Sequence, residues 1–136
     1  MEKLFNAASV FTGVTGGIIA ALFGAWDKLL IALMILMVLD YIMGLVKAVY
    51  KKNLSSEIGF KGLLKKITML VIVALANVIQ TLTSGNAPIR EIVIMFYIAN
   101  EGISILENAA EVSTKIPAKL KDVLLQLRGD DNENRN

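Results

Sequence analysis

Between two long apolar runs the chain places six lysines, Lys47, Lys51, Lys52, Lys61, Lys65 and Lys66, against a single acid, Glu57. Positive side chains resist translocation, so a lysine-rich segment bracketed by hydrophobic spans stays on the cytoplasmic side of a bilayer. This one segment therefore orients everything on either side of it. The apolar runs flanking it must cross away from it and return.

Composition supports a bilayer as the main solvent. Hydrophobic residues make up 55% of the 136, and the mean hydropathy is +0.61. The net charge of +2 says less than its distribution. Lysines gather at 47–66, mixed charge follows Glu107, and almost nothing ionisable lies between Lys3 and Trp26. Long uncharged stretches separated by charged clusters are the pattern of membrane helices and their connections. The start of the chain shows no convincing signal-peptide pattern, because Glu2 offsets Lys3 and small residues are spread through the run that follows.

Four apolar segments are expected to span, at about 10–26, 29–46, 67–82 and 89–106. In the first, Gly13, Gly17, Ala20 and Gly24 fall on one helical stripe. Small residues let helix backbones approach closely in lipid, so this is a candidate packing face, with Gly44 of the second span as another. Trp26 suits the interfacial aromatic belt. The second span carries Asp40, with Gly44 and Lys47 on its face. A charge exposed to lipid there would cost about 3 kcal/mol. Its expected partners are Lys47 or the amides Asn77 and Gln80 of the third span.

The fourth span has an apolar stretch followed at once by Asn100 and Glu101, with Tyr97, Glu101, Ser104, Asn108 and Glu111 on one face. It either spans and lines a polar interior or inserts only in part. Asp40, Asn77, Gln80, Asn100 and Glu101 are the intramembrane polar candidates, and the six lysines are read as basic groups at the membrane surface. Ser55 or Ser56 is placed to cap a helix within the basic loop, and Pro88 to begin the fourth helix. Pro117 precedes a short amphipathic helix, Ala118 to Leu127, with Leu120, Val123, Leu124 and Leu127 on one side. From Arg128 onward the chain is polar and expected to be without structure.

There is no cysteine and no histidine, which removes disulfides, thiol chemistry, the usual zinc ligands and the commonest general base. GVTGG at 13–17 lacks the lysine and strand of a phosphate-binding loop. No enzyme, cofactor, metal or nucleic-acid partner is expected. The overall expectation is an all-α, multi-pass membrane protein with three to four transmembrane helices. Residues 1–112 form the membrane domain, with a basic cytoplasmic loop at 47–66, and 113–136 form an amphipathic and disordered tail.

The stretch LDYIMGLVKAVYKKNLSSEIGFKGLLKKI, from Leu39 to Ile67, resembles the central pattern of the phage-lysis and toxin-secretion holins of Gram-positive bacteria. The resemblance rests on Asp40, Tyr41 and Gly44, then on Ser55, Ser56, Gly59, Lys61 and Gly62, and continues to Asn77. It covers roughly residues 29 to 107. It implies a protein that accumulates in the bacterial cytoplasmic membrane, meets an anionic inner leaflet, oligomerises, and opens lesions that release endolysin or a secreted toxin. Antiholin partners belong to the same implication. The competing readings are an antiholin-type regulator and a small channel or transporter. A drug-efflux transporter of four helices needs a buried acid in its first helix, and none is present here.

Overall fold

Five helices make up residues 1–129, the part of the chain that the computed structural model describes: α1 (Glu2–Phe23), α2 (Lys28–Tyr50), α3 (Ser56–Leu82), α4 (Ile89–Glu111) and α5 (Ala118–Arg128). Residues 130–136, most of the expected polar end, lie outside the described residues, while Arg128 closes α5. The all-α expectation holds. α1, α2 and α3 are each long and apolar enough to cross a membrane. α4 is not one of these, and it carries Arg90, Glu91, Glu101, Glu107 and Glu111.

Local chemistry sets the helix limits. Asp27 caps α2 by accepting from the Leu30 N–H at 3.0 Å, and Ser55 caps α3 by accepting from the Ile58 N–H at 3.2 Å. Pro88 and Pro117 stand immediately before α4 and α5. Each of α2, α3 and α4 ends two residues before a non-glycine residue with positive φ, Lys52, Ser84 and Ser113 respectively. That left-handed turn reverses the chain in a few residues, and α2, α3 and α4 run up, down and up. One end of the bundle gathers the end of α2, the start of α3 and the end of α4. It is the lysine end. The other gathers the α1–α2 and α3–α4 turns.

The basic segment is less of a loop than expected. Helix covers 47–50 and 56–66, leaving a turn only at 51–55. Gly59 and Gly62 do not interrupt α3, because both lie under the ring of Tyr41. A Cβ on Gly59 would come 3.2 Å from Tyr41 Oη, and one on Gly62 would come 3.4 Å from its ring. The first helix also begins earlier than the 10–26 segment and stops at Phe23, where Gly24 turns the chain at φ +75°.

Leu30, Leu33 and Met37 of α2 meet Met69 and Val73 of α3 and Ile94 of α4 in a small buried core. The outward faces stay apolar: Ile35, Val38 and Ile42 on α2, and Val71, Leu75 and Val78 on α3, are all exposed. An exterior of this kind is stable in hydrocarbon and not in water. α1 has no fully buried residue; it packs along α3 and meets α4 where Arg90 bonds Phe23 O.

α5 folds back against α4. A Cβ on Gly102 of α4 would lie 2.8 Å from Leu124 Cδ2, so Leu124 seats on a bare backbone. α5 covers a narrow strip: Leu124 and Leu125 are half-buried, whereas Leu120, Val123 and Leu127 of the expected apolar side remain exposed. Gly102→Leu is expected to lift α5 from α4 and speed proteolysis of the 112–117 connection several-fold in detergent. Unchanged cleavage would mean that α5 is held by something other than this contact.

Candidate functional site: a buried ion triad

Asp40, Lys66 and Glu101 come from three helices and meet at one level. Each lies ten residues from the lysine end of its helix, about 15 Å along the axis. Antiparallel neighbours with equal offsets place their side chains in one layer. Asp40 and Lys66 are each 7% exposed and Glu101 is 1% exposed. The Lys66 ammonium donates to Asp40 Oδ2 and to Glu101 Oε2. Asn108 Nδ2 lies 3.4 Å from Asp40 Oδ1, adding a fourth polar group about two turns further along α4.

An ammonium has three donors and no acceptor, which suits it to bridge two carboxylates. Burying charges is costly unless each is paired and hydrogen-bonded, and this arrangement pairs all three. Two cavities flank it. A groove of about 190 Å³ runs beside Asp40, Tyr41, Gly44, Lys66 and Asn108. A second space of about 330 Å³ reaches Glu101 past Lys65, Tyr97, Asn100 and Ser104.

Several sequence expectations change here. Asp40 pairs with Lys66 and Asn108, not with Lys47, Asn77 or Gln80. Asn77 lies eleven residues beyond Lys66 on α3, about 16 Å away along the axis. Lys66 is not a surface group, because α3 begins at Ser56 and carries it three turns into the bundle. The other lysines stay outside. Lys47 and Lys51 both pair with Glu111, Lys61 pairs with Glu57 at 2.9 Å, and Lys52 and Lys65 are exposed. Lys51, then Lys47, hold the Glu111 carboxyl below its ordinary range by hydrogen bonding. Positions 13, 16, 17 and 44 have open space where a Cβ would stand, so Gly13 and Gly17 of the α1 stripe have no partner among the described residues, Ala20 is likewise exposed, and only Gly24 at its end meets other elements.

A second polar node closes the opposite end. Arg90 is 3% exposed and joins three segments. Its Nε donates to Phe23 O, its Nη2 to Ala25 O at 2.8 Å, and its Nη1 to Asp27 Oδ2 at 2.9 Å. Gln80 Oε1 accepts from the Arg90 backbone N–H at 2.7 Å, and Asn77 Nδ2 donates to Ala21 O at 3.1 Å. Gly24 fits because a Cβ there would strike Asn77 and Arg90. The amides thus do bond to other elements, but at this end. Arg90 was not singled out in the sequence; its position two residues after Pro88, facing Asp27 across two turns, is visible only in three dimensions. Among the described residues no group of three or more His, Cys, Asp or Glu is placed to hold a metal ion.

Membrane-length helices with apolar outward faces and a buried polar layer inside the bundle define an all-α, multi-pass membrane protein. Residues 17–129 match the bacteriophage holin family, and the chain belongs to it. A 14.9 kDa protein in the nagH 3′ region of Clostridium perfringens is 41% identical over 128 residues, covering 93% of this chain and 97% of that one. A Listeria monocytogenes protein is 44% identical over 110 residues, covering 81% of this chain and 79% of its own. A probable holin of Bacillus phage phi105 is 37% identical over 114 residues, 84% of each chain. No solved structure matches. Proteins of this family are non-catalytic, in keeping with the absence of catalytic chemistry read from the sequence.

Proposed function

We propose that the chain is a holin of the bacterial cytoplasmic membrane, which self-associates and opens lesions through which an endolysin leaves the cell. The observation that carries this reading is the family match across residues 17–129. Geometry adds support. α1 is a membrane-length helix without intrachain burial, so its Gly13–Gly17 face is open to helices of other copies. The lysine end, with Lys52, Lys61 and Lys65 exposed, faces the cytoplasm and the anionic leaflet in this orientation.

The test is controlled expression in bacteria with a co-expressed cytosolic endolysin, following membrane potential and protein release. Abrupt release after a delay is expected. Gradual loss of potential without release would point to a channel or transporter instead, and postponement of another holin's lysis without release would point to an antiholin. In the same assay Asp40→Asn is expected to leave accumulation unchanged and to shift the time of release, because it alters charge and preserves shape. Asp40→Leu should shift it further. Wild-type timing in both would remove Asp40 from any part in opening.

A further inference from the structure

The buried layer is not electrically balanced. It holds two carboxylates and one ammonium, a net charge of −1 among its buried side chains. The groups facing it from each packed element are Asp40 and Tyr41 on α2, Lys65 and Lys66 on α3, Tyr97, Glu101, Glu107 and Asn108 on α4, and Arg128 on α5. Lys65 and Glu107 are exposed at the rim and oppose one another in sign, and Arg128 of α5 lines the same cavity as Glu101. The two carboxylates differ in support. Asp40 receives Lys66 and Asn108, whereas Lys66 is the donor shown for Glu101.

We propose that the triad is a proton-binding site, in which Glu101 takes the proton from water in its cavity. An O–H bond forms on a Glu101 carboxylate oxygen as the bond to the delivering hydronium breaks and water is left. Lys66 keeps its own protons and its bond to Asp40. The buried charge goes from −1 to zero, which low dielectric favours. The charge-assisted bond between α3 and α4 then weakens, while the one between α2 and α3 persists. Proton occupancy therefore sets how tightly α4, with α5 on its back, is held to the rest of the bundle. The cavity beside Glu101, about 330 Å³ and lined by Asn100 and Ser104, has room and polar groups for the water that delivers the proton.

This goes beyond the lesion-forming reading and does not rest on it. The experiment is an infrared pH titration of the purified full chain in phosphatidylcholine–phosphatidylglycerol vesicles, following the carboxylic-acid C=O band. As the pH is lowered from mildly alkaline to just above the ordinary carboxylate range, the wild type is expected to gain one protonated carboxyl per chain. Glu101→Gln should abolish that gain. Asp40→Asn should also suppress it, because one carboxylate paired with Lys66 is already neutral overall. Glu107→Gln, at the exposed rim, should titrate as the wild type. Circular dichroism in the same vesicles confirms that each variant is folded. A wild type with no uptake in this window, or a folded Glu101→Gln that titrates like it, would overturn the assignment. Because nothing in the titration depends on lysis, a failure to release endolysin in cells would count against the proposed function alone.

Discussion

Lys66→Met is expected to destabilise the folded chain by about 3–5 kcal/mol, the largest effect of any single substitution in the bundle. It removes the one cation between Asp40 and Glu101 and leaves two buried carboxylates with no compensating charge. The side chains of the triad are between 1% and 9% exposed, so solvent screens this loss little. Thermal unfolding in detergent, followed by helicity, measures it. The matching triple variant, Asp40→Leu, Lys66→Met and Glu101→Leu, should recover most of the loss or exceed the wild type, since replacing a complete buried ion cluster by apolar groups is often neutral or stabilising. A single variant that melts with the wild type would mean that the two carboxylates do not depend on Lys66 for compensation. A triple variant no better than the single one would mean that packing, not charge, holds this layer.

That contrast also explains why the triad was only half legible in the sequence. Asp40 and Glu101 stand out because acids are rare in apolar runs, and each was placed on a polar face. Their partner is hidden in the sequence, because Lys66 ends a run of lysines and looks like one more surface charge. What separates it from Lys65 is helical phase: adjacent residues on a helix point about 100° apart, so one turns inward and the other out. Phase is readable only once the start of the helix is known, and α3 starts right after its Ser55 cap, eleven residues earlier than the apolar run suggests. The same extension gives Gly59 and Gly62 their place. Three apart on one face of α3, they make a flat bed for the Tyr41 ring, so the aromatic and the glycines of the family-like stretch form a single packing unit. The number and type of helices, by contrast, follow from hydropathy and from proline, serine and glycine punctuation, which are local signals. Gly102 carried no such signal, because its role is set by Leu124, twenty-two residues away.

The second large effect is expected at the opposite end. Arg90→Leu should free the α1–α2 turn from the α3–α4 turn, because one guanidinium now binds Phe23 O, Ala25 O and Asp27 together. Leucine fills part of the space but donates nothing, so the half-buried Phe23 carbonyl and Asp27 carboxylate lose these donors, while the exposed Ala25 carbonyl keeps the Asp27 N–H. Each unsatisfied group costs about 1–3 kcal/mol, and several are lost at once. α1 should feel this most. Its attachment to the bundle runs through its last turn, where Asn77 and Arg90 hold it, while the rest of the helix has no buried residue. Crosslinking between introduced cysteines at positions 22 and 78 should therefore fall sharply in Arg90→Leu, while the α2–α4 core stays folded. Acid should reproduce part of the effect in the wild type. The Asp27 carboxyl is held below its ordinary value of 3.8 first by the hydrogen bond from Arg90, then by the Leu30 N–H. A carboxyl lowered on folding contributes stability that is present above its unfolded value and is lost as pH falls through its lowered one. Crosslinking should thus hold steady at neutral pH and decline below the usual carboxylate range in the wild type, and it should lose the part of that decline due to Arg90 in Arg90→Leu. Equal acid sensitivity in both proteins would show that α1 is held by contacts that do not involve Arg90.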